Sequence, residues 1–297
     1  MASLSDMEQP IALVTGLNGF TGRYVAAELA RFGYLVRGLE GDNPGCETVD
    51  LTDRLAVRAA IERLQPRVVV HLAAISFVAH GDAEAIYRVN IVGTRNLLEA
   101  LAAQQTGPSH VILVSSANIY GNAGGLITED VRPSPQNDYA VSKLAMEHMA
   151  GLWADHLPVI IVRPFNYIGI GQSEKFLIPK IVAHFRRKAA VVELGNLDIW
   201  RDFYDVRYIA SIYRRLLDVE SNFDVYNICS GEEHSLRQII AMMEEIAGHS
   251  IEVRVNPQFI RANEVTRLRG DATRLALRIG KLPSFSLRDT LHWMYDA

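Results

Sequence analysis

Short apolar segments alternate with amphipathic segments of helical period through the first half of the chain, and this alternation constrains the fold more than any other feature. The apolar segments predict strands at residues 11–15, 35–39, 68–72, 111–115 and 159–162. The intervening segments predict helices at residues 21–32, 53–64, 83–105 and 138–156. Repeated strand–helix–strand units are connected by right-handed crossovers, so we predict an α/β fold with a doubly wound parallel sheet of the Rossmann type.

The second half departs from this alternation after residue 162. It predicts helices at residues 177–188, 205–217 and 235–247 and from Leu287 onward, and strands near Val191 and at residues 225–228 and 251–255. We therefore predict a dinucleotide-binding Rossmann domain formed by residues 1–163 and about 204–228. A smaller C-terminal α+β lobe, about 164–203 plus 229–297, is expected to bind the substrate.

The composition excludes several classes of protein. The 297 residues carry a net charge of −4, with no basic run interleaved with aromatic residues, so we expect no nucleic-acid partner. No apolar segment is long enough to cross a bilayer and the start has no secretory pattern, so we expect a cytoplasmic protein without a membrane partner. The histidines have no metal-ligand spacing, so we expect no metal site. Cys46 and Cys229 are expected to be packed small residues.

A glycine-rich segment directly follows the first predicted strand and opens the first predicted helix. Its glycines, Gly16, Gly19 and Gly22, have the spacing GxxGxxG. The first permits a tight turn, the second lets the backbone approach a pyrophosphate, and the third lets the helix pack closely on the strand. The helix N-terminus adds amide donors and the positive end of a dipole. We therefore predict that NAD(P)(H) binds here, with further contacts from Asn18, Phe20 and Thr21.

Other candidate contacts to the cofactor follow the second and third predicted strands. Glu40 stands where an acidic residue binds the hydroxyls of the adenosine ribose, which favours NAD(H); a surface glutamate is the alternative, and Arg37 would suit a 2′-phosphate. Asp50 and Leu51 are candidates for contact with adenine, with helix capping within DLTD as the competing interpretation. Residues that would let the cofactor pass close to the third strand are Leu72, Ala73 and Ala74.

Tyr139 and Lys143 lie four residues apart in the segment YAVSK of a predicted helix. That spacing places both side chains on one face, where an ammonium favours the phenolate form of a tyrosine and lets it exchange protons. The preceding predicted strand ends in serine at Ser116. Because an isolated YxxxK also occurs by chance on amphipathic helices, the assignment of an acid/base centre depends on the motifs around it.

Six motifs occur together in one order and spacing: TGLNGFTG, DLTD, HLAA, NIVGTRNLLEA, VSSANIYG and YAVSK. On these motifs nearly the whole chain resembles the extended branch of the short-chain dehydrogenase/reductases. The resemblance implies that Tyr139 donates or accepts the proton, that Lys143 binds the nicotinamide ribose, and that Ser116 hydrogen-bonds the reacting oxygen. It also implies that Asn90 is a structural and active-site asparagine that contacts the cofactor, with capping of the following helix as the alternative.

Motifs in the second half are similar to those of GDP-mannose 4,6-dehydratases and GDP-4-keto-6-deoxy-D-mannose reductases. By this resemblance the nicotinamide is lined by Pro164 and Phe165, and the GDP-sugar is bound by Asn166, Leu194, Asn196, Arg201, Arg261 and Glu264. A diphosphate suits bidentate arginine contacts, and the donors of guanine suit a carboxylate such as Glu264. Surface salt bridges are the alternative for Arg201 and Arg261. Ser76 is a further candidate for sugar contact, or a simple loop residue.

Three reactions share these motifs: 4,6-dehydration, C4 epimerisation and 4-keto reduction. A dehydratase needs an additional acid and base beside the catalytic serine, where this chain has Ala117 and Asn118. Both are candidate substrate contacts, but neither transfers a proton, so dehydration is disfavoured. Reduction needs a hydride from NAD(P)H and a proton from Tyr139, with Ser116 polarising the carbonyl. We therefore predict a 4-ketoreductase of a GDP-4-keto-6-deoxy hexose, of the kind that makes GDP-D-rhamnose. The alternatives are a nucleotide-sugar 4-epimerase with tightly bound NAD and a non-catalytic NAD(P) sensor.

The helices predicted at residues 83–105 and 138–156 carry several large apolar side chains, at Leu98, Leu101, Met146, Met149 and Trp153. Such residues are more typical of a core than of an interface. Members of the resembled family nevertheless pair these two helices across a dimer contact. The resemblance therefore implies a homodimer.

Overall fold

The computed structural model describes residues 9–39, 48–76, 81–221, 223–259 and 266–297. Its strands are β1 Ile11–Thr15, β2 Leu35–Arg37, β3 Val68–His71, β4 His110–Val114, β5 Gly125–Ile127, β6 Val159–Pro164, β7 Asn166–Ile168, β8 Val191–Leu194, β9 Trp200–Arg201, β10 Phe203–Asp205, β11 Asp224–Ile228, β12 His234–Ser235, β13 Glu252–Val255 and β14 Arg267–Gly270. Its helices are α1 Phe20–Arg31, α2 Arg54–Leu64, α3 Ala83–Tyr87, α4 Thr94–Ala102, α5 Asp138–Ala150, α6 Leu177–Arg186, α7 Val206–Leu216, α8 Leu236–Ala247, α9 Thr273–Ile279 and α10 Leu287–Asp296.

A six-stranded sheet has the strand order β11-β6-β4-β3-β1-β2. β1 pairs in parallel with β2 on one side and with β3 on the other, and parallel pairing continues to β4 and β6. The winding of the chain therefore reverses at β1, and sheets of this kind bind ligands beyond the carboxyl ends of the strands at that reversal. This arrangement confirms the predicted α/β fold with a parallel Rossmann sheet.

The central strands are apolar at consecutive positions because helices cover both of their faces. β3 is buried at all four residues. On one face Val69 and Leu113 belong to a buried cluster with Ile61 of α2, Leu97 of α4 and Met146 of α5. Strands with both faces covered read as continuous apolar runs rather than as alternating patterns.

Several helices begin at residues whose side chains accept backbone hydrogen bonds. Asp53 accepts from the amides of Leu55 and Ala56 at the start of α2, and Asn137 accepts from the amide of Ala140 at the start of α5. Such caps satisfy amides that have no partner inside the helix and are each worth about 1 kcal/mol. The cap at Asn137 fixes the first turn of α5, which carries Tyr139.

The chain divides into two compact units. The first comprises Met1–Ile119, Asn137–Val162 and Ala210–Val225, and the second comprises Tyr120–Gln136, Arg163–Ile209 and Tyr226–Ala297. The second unit has its own core, formed by residues such as Phe185 of α6, Ile239 of α8 and Leu291 of α10. The assignment of a cofactor-binding role to one part of the chain and a substrate-binding role to the other stays a prediction.

The helix predicted at residues 83–105 is interrupted. It consists of α3, a π-helical segment at Arg88–Gly93, and α4. The interruption coincides with Asn90, whose side-chain oxygen accepts from the amide of Ile75 (2.9 Å) and whose side-chain nitrogen donates to the Ile75 carbonyl (3.2 Å). A π-helical turn inserts one residue into a helix and is frequent at functional sites. The predicted alternative, in which Asn90 caps a helix, is wrong.

Other predicted boundaries also differ from the structure, and most of them differ by one or two residues. The helix predicted at residues 138–156 ends at Ala150, and a short 3₁₀ turn begins at Gly151. The strand predicted to end at residue 162 continues through Pro164 as β6. None of the helices in the described part of the chain is long and apolar enough to cross a membrane.

Candidate active site

The glycine segment forms a turn between β1 and α1 in which side chains would not fit. Gly16 has a φ of +73°, and a Cβ there would lie 3.0 Å from the amide nitrogen of Ala73. A Cβ on Gly22 would collide with the carbonyl oxygen of Gly16 and lie 2.6 Å from that of Leu17. The amide of Gly19 donates to the Gly16 carbonyl at 3.0 Å. The turn therefore leaves its backbone bare at the winding reversal of the sheet, which fits the approach of a pyrophosphate.

The predicted cofactor contacts around this turn have different environments. Asn18 is exposed and Thr21 partly exposed, while the ring of Phe20 lies edge-on to Tyr24 with 5.8 Å between centroids. Beyond β3 the amide of Ala73 donates to the hydroxyl of Thr15 at 3.1 Å. The candidates that are only partly exposed after β3 are Leu72, Ala73 and Ala74. Ser76 is exposed.

The two aspartates of the segment DLTD have different roles. Asp53 caps α2, while the carboxylate of exposed Asp50 accepts from the amide and the hydroxyl of Thr52, both at 2.8 Å. These two hydrogen bonds lower the pKa of Asp50. Leu51 is buried. Contact of Asp50 and Leu51 with adenine stays a prediction, and Glu40 lies outside the described residues.

Ser116 follows the carboxyl end of β4. Its Oγ accepts from the amide of Asn118 at 3.1 Å, and within the described residues nothing accepts its hydroxyl proton. A hydroxyl that already accepts one hydrogen bond is oriented to donate its proton to an incoming oxygen. Ala117 is buried, whereas Asn118 is exposed. The segment therefore presents one donor and one amide side chain, with no carboxylate at the two positions after Ser116.

Lys143 is held beside Tyr139 in the first two turns of α5. Its ammonium lies 6.0 Å from the centroid of the Tyr139 ring and donates to the carbonyl of Val114 at 2.7 Å. Val114 is the last residue of β4, so this bond anchors the lysine two residues before Ser116. Among the described residues Val114 is the one acceptor of the ammonium, so two of its protons remain for a ligand such as a ribose hydroxyl.

The environment of Lys143 is almost dry, since only 3% of the residue is exposed. Burial lowers the pKa of Lys143 to about 8, and the charge of Glu147 acts in the opposite direction. Tyr139 is also buried, with 9% exposed. A cation beside a phenol in such surroundings stabilises the phenolate that remains once the tyrosine has given up its proton. The structure therefore places a phenol, an ammonium and a serine hydroxyl on adjoining elements, and the predicted roles of Tyr139, Lys143 and Ser116 in proton transfer and carbonyl binding stay predictions.

Asn90 connects this centre to the π-helical segment. Its side-chain nitrogen donates to the hydroxyl of Ser142 at 3.0 Å, and Ser142 donates to the carbonyl of Tyr139 at 2.7 Å. Asn90 itself is 1% exposed. It therefore positions the helix turn that carries Tyr139 from behind.

The second unit contains other predicted contacts. Phe165 is buried, with its ring centroid 6.4 Å from that of Tyr120, and Pro164 is also buried. Asn166 is exposed, and its side-chain nitrogen lies 3.5 Å from the carbonyl of Asp202. The structure gives the positions of these residues, and their binding roles stay predictions.

The segment that begins at Leu194 is partly structural. Leu194 is buried, and Asn196 accepts from the amide of Asp198 at 2.9 Å. A guanidinium nitrogen of Arg201 donates to the carbonyl of Trp200 at 2.8 Å. Two predicted contacts, Arg261 and Glu264, lie outside the described residues.

Three buried polar residues in the first unit have roles that the sequence did not reveal: Thr15, Thr94 and Ser142. Each hydrogen-bonds another buried polar side chain. The one feature of the sequence that marks these residues is a polar side chain within an otherwise apolar strand or helix face. That feature does not identify the partner, because the partners are more than 20 residues away in sequence.

The model of the NAD dependent epimerase/dehydratase family matches residues 12–229. The matched span begins in β1 and ends just after β11. It includes the glycine turn, Ser116, Tyr139 and Lys143.

Two curated relatives cover almost the whole chain. The GDP-6-deoxy-D-talose 4-dehydrogenase of Aggregatibacter actinomycetemcomitans is 36% identical, over 95% of this chain and 96% of the relative. The GDP-6-deoxy-D-mannose reductase of Pseudomonas aeruginosa is 35% identical, over 94% of this chain and 93% of the relative.

Two solved structures have the same fold over their full length. One is from Burkholderia cenocepacia J2315 and is named only provisionally as an epimerase; it has a TM-score of 0.92 and 48% identity, and covers 97% of this chain and 98% of its own. The other is RMD from Pseudomonas aeruginosa complexed with NADPH, with a TM-score of 0.86, 32% identity and 97% of each chain covered.

Proposed function

The chain belongs to the NAD dependent epimerase/dehydratase family, and we propose that it reduces the 4-keto group of a GDP-4-keto-6-deoxy hexose to a GDP-6-deoxyhexose. Its family and its relatives indicate an NAD(P)-dependent oxidoreductase of nucleotide sugars. The site around Ser116 supports 4-keto reduction as the specific reaction.

The observation that carries the proposal is the minimal set of proton-transfer groups. Ser116, Tyr139 and Lys143 suffice for reduction of a carbonyl, whereas 4,6-dehydration also needs an acid and a base for C5 and C6. The two positions after Ser116 hold Ala117 and Asn118, neither of which transfers a proton. Dehydration is therefore disfavoured. Reduction needs only Ser116, Tyr139, Lys143 and a bound NAD(P)H.

Each residue has a defined task in the proposed reaction. When bound, NAD(P)H would supply the hydride that reduces C4 of the sugar. Ser116 donates a hydrogen bond to the carbonyl oxygen, and Tyr139 transfers its phenolic proton to the same oxygen as negative charge develops there. Lys143 stabilises the resulting phenolate. The net change is one carbonyl reduced to an alcohol and one NAD(P)H oxidised.

The choice of a GDP-sugar is supported by the names of the two curated relatives. Both names specify a GDP-linked 6-deoxyhexose, and talose and mannose differ in configuration at C4. The relatives thus agree on the nucleotide and on the class of sugar while differing at the carbon that the reaction would set. We propose guanine recognition by Glu264 and diphosphate recognition by Arg201 and Arg261 on the same basis.

A direct assay tests the proposal. Incubation with a GDP-4-keto-6-deoxy hexose should oxidise one NAD(P)H per sugar consumed. In a parallel thermal-shift series, GDP should raise the melting temperature more than UDP, dTDP or CDP, because a bound ligand stabilises the folded state by mass action. Absence of NAD(P)H oxidation with the keto sugar would overturn the proposal.

A nucleotide-sugar 4-epimerase is the second candidate, because the solved structure with 48% identity is named provisionally as an epimerase. An epimerase would use the same serine, tyrosine and lysine, and would retain its cofactor through the reaction. It would interconvert C4 epimers with no net change in cofactor absorbance. Purified protein that contains tightly bound NAD would favour this candidate.

The pH dependence of activity should follow the protonation state of Lys143. Because its pKa in the folded protein is about 8, the ammonium should be lost above that pH and kcat/KM should fall. The unfolded chain holds this proton up to about 10.5, so the contribution of Lys143 to folding stability should increase between about pH 8 and 10.5 while activity declines. Rate profiles and denaturant unfolding across this range would measure the two trends. In Lys143→Met both trends should disappear, and a wild-type rate that stays constant to about pH 10 would contradict the assignment.

We also propose that the chain forms a homodimer through the region of α4 and α5. Leu98, Leu101 and Met146 are fully buried in the core and cannot form an interface, whereas Val92 and Val141 are exposed by 44% and 38%. A dimer would cover these two side chains. Light scattering coupled to size exclusion should give twice the mass of the chain, and Val141→Glu should shift it to the monomer mass.

A further inference from the structure

A chain of polar side chains lies in the apolar interior beneath the carboxyl edge of the sheet. Thr15, His71 and Thr94 are each at most 1% exposed. The Nδ1 of His71 lies 2.7 Å from the Thr15 hydroxyl, and its Nε2 lies 2.8 Å from the Thr94 hydroxyl. An imidazole with both nitrogens bonded to hydroxyls in a dry interior holds its neighbours in a fixed geometry.

The directions of these hydrogen bonds follow from the number of protons. Thr94 has one hydroxyl proton, which it donates to the carbonyl of Asn90 at 2.8 Å, so Thr94 must accept from Nε2–H of His71. Nδ1 is then unprotonated and accepts from the hydroxyl of Thr15. Thr15 in turn accepts from the amide of Ala73 at 3.1 Å. Every proton is used once, and the ring of His71 is neutral with its proton on Nε2.

The electrostatic surroundings agree with a neutral ring. Burial and the positive charge of Lys143 lower the pKa of His71 to about 3. Protonation of Nδ1 would also require the Thr15 hydroxyl to give up its hydrogen bond to the ring and to turn its proton away from it. The tautomer is therefore held constant across the pH range in which an exposed histidine titrates.

The two ends of this chain reach the two halves of the site. On one side, a Cβ on Gly16 would lie 3.0 Å from the amide nitrogen of Ala73, and this amide donates to the hydroxyl of Thr15. Thr15 and Ala73 therefore shape the glycine turn. On the other side Asn90 donates to Ser142, which donates to the carbonyl of Tyr139. His71 is the residue through which these two halves are joined.

We infer that His71 is a positioning residue: its Nε2–H ring couples the glycine turn that holds the cofactor to the π-helical segment and the helix that carry Asn90 and Tyr139. Of the expected effects of this coupling, only the effect on kcat depends on the proposed catalytic function of Tyr139. The effects on cofactor affinity and on the state of the ring do not depend on which sugar is the substrate. These two readouts separate failure of the coupling from failure of the proposed reaction.

Two substitutions of His71 each keep one of the two hydrogen-bonding positions of the ring and remove the other. His71→Asn keeps a polar atom near the position of Nδ1 and loses the donor to Thr94, so it should lower kcat by about 10-fold while changing the dissociation constant of NAD(P)H by less than about 3-fold. His71→Gln keeps a donor near the position of Nε2 and loses the acceptor for Thr15, so it should raise that dissociation constant by about 10-fold and change kcat less. A purely structural role would lower the melting temperature in both variants without this division.

Isosteric variants of the threonines test the same division without altering the ring. Thr94→Val should reproduce the effect of His71→Asn, and Thr15→Val that of His71→Gln. His110 provides the matched control, because its ring contacts the hydroxyl of Ser109 (3.1 Å) and the carbonyl of Val219 (2.8 Å) at the opposite, amino end of β4. His110→Gln should leave both kcat and the cofactor dissociation constant unchanged.

Nitrogen NMR of the ring tests the tautomer itself. The spectrum of the wild-type protein with NAD(P)H bound should show a protonated Nε2 and an unprotonated Nδ1 for His71, unchanged from about pH 5 to about pH 8. A ring that titrates in this range, or one protonated on Nδ1, would overturn the inference. So would His71 and threonine variants whose kcat and cofactor affinity change in the same proportion.

Discussion

Tyr139→Phe is expected to lower kcat by about 10²- to 10⁴-fold, because it removes the hydroxyl that we propose transfers its proton to the carbonyl oxygen. The ring is buried and the substitution deletes a single oxygen, so the fold and the glycine turn should be preserved. The dissociation constant of NAD(P)H, measured by fluorescence titration, should therefore change by less than about 3-fold. We therefore expect the substitution to lower kcat and to leave cofactor binding nearly unchanged.

Tyr208→Phe is the matched control for this change. Tyr208 is also a buried tyrosine, and its hydroxyl donates to the carbonyl of Cys229 at 3.0 Å. Loss of that bond should cost about 1 kcal/mol of stability and leave kcat unchanged. Retention of most of the turnover by Tyr139→Phe would mean that another group supplies the proton, and the assignment of the centre would be wrong.

Gly22→Ala is expected to raise the dissociation constant of NAD(P)H by more than about 10-fold and to destabilise the protein by about 1–3 kcal/mol. The new Cβ would collide with the carbonyl of Gly16 and lie 2.6 Å from that of Leu17, and both obstacles are backbone. The turn must therefore open, which displaces the amides that would face the phosphates. Cofactor titration and denaturant unfolding measure the two effects.

Gly107→Ala distinguishes this effect from a general cost of replacing glycine. A Cβ on Gly107 would have no atom within 4 Å, and the residue lies in a loop after α4. The control should bind NAD(P)H as the wild type does. If Gly22→Ala bound the cofactor equally well, the turn would not be the pyrophosphate site.

The architecture of the first half could be predicted from the sequence because its signals are local. Consecutive apolar residues in β3 and β4 identify strands with both faces covered, and the glycine spacing after β1 identifies the turn at the winding reversal. The parallel pairing of β2, β1, β3, β4 and β6 follows from repeated right-handed crossovers. Each of these inferences needs only neighbouring residues.

The short elements of the second unit could not be predicted in the same way. Strands β5, β7, β9, β10, β12 and β14 and helix α9 were not predicted, and these strands have only two to four residues. So few residues contain no measurable period. Their pairing is also distant in sequence: β14 pairs with β5 and β9. Tertiary contacts rather than local propensity therefore define these strands.

The candidate site shows the same division between local and distant information. The pairing of Tyr139 with Lys143 follows from helical spacing, and the structure places the ammonium 6.0 Å from the ring. The anchoring of Lys143 on the carbonyl of Val114 connects residues 29 positions apart, and the bond between His71 and Thr15 connects residues 56 positions apart. Sequence spacing contains no record of such contacts. Sequence spacing predicts which groups react but not what holds them in place.

Transfer of isotope from the cofactor tests the central claim most directly. The protein should be incubated with a GDP-4-keto-6-deoxy hexose and NAD(P)D labelled at the hydride that is transferred, and the sugar analysed by NMR and mass spectrometry. We expect one deuterium at C4 of the product for each NAD(P)⁺ formed, and formation of this product about 10²- to 10⁴-fold more slowly with Tyr139→Phe. Interconversion of C4 epimers without deuterium in the sugar and without net oxidation of the cofactor would contradict it.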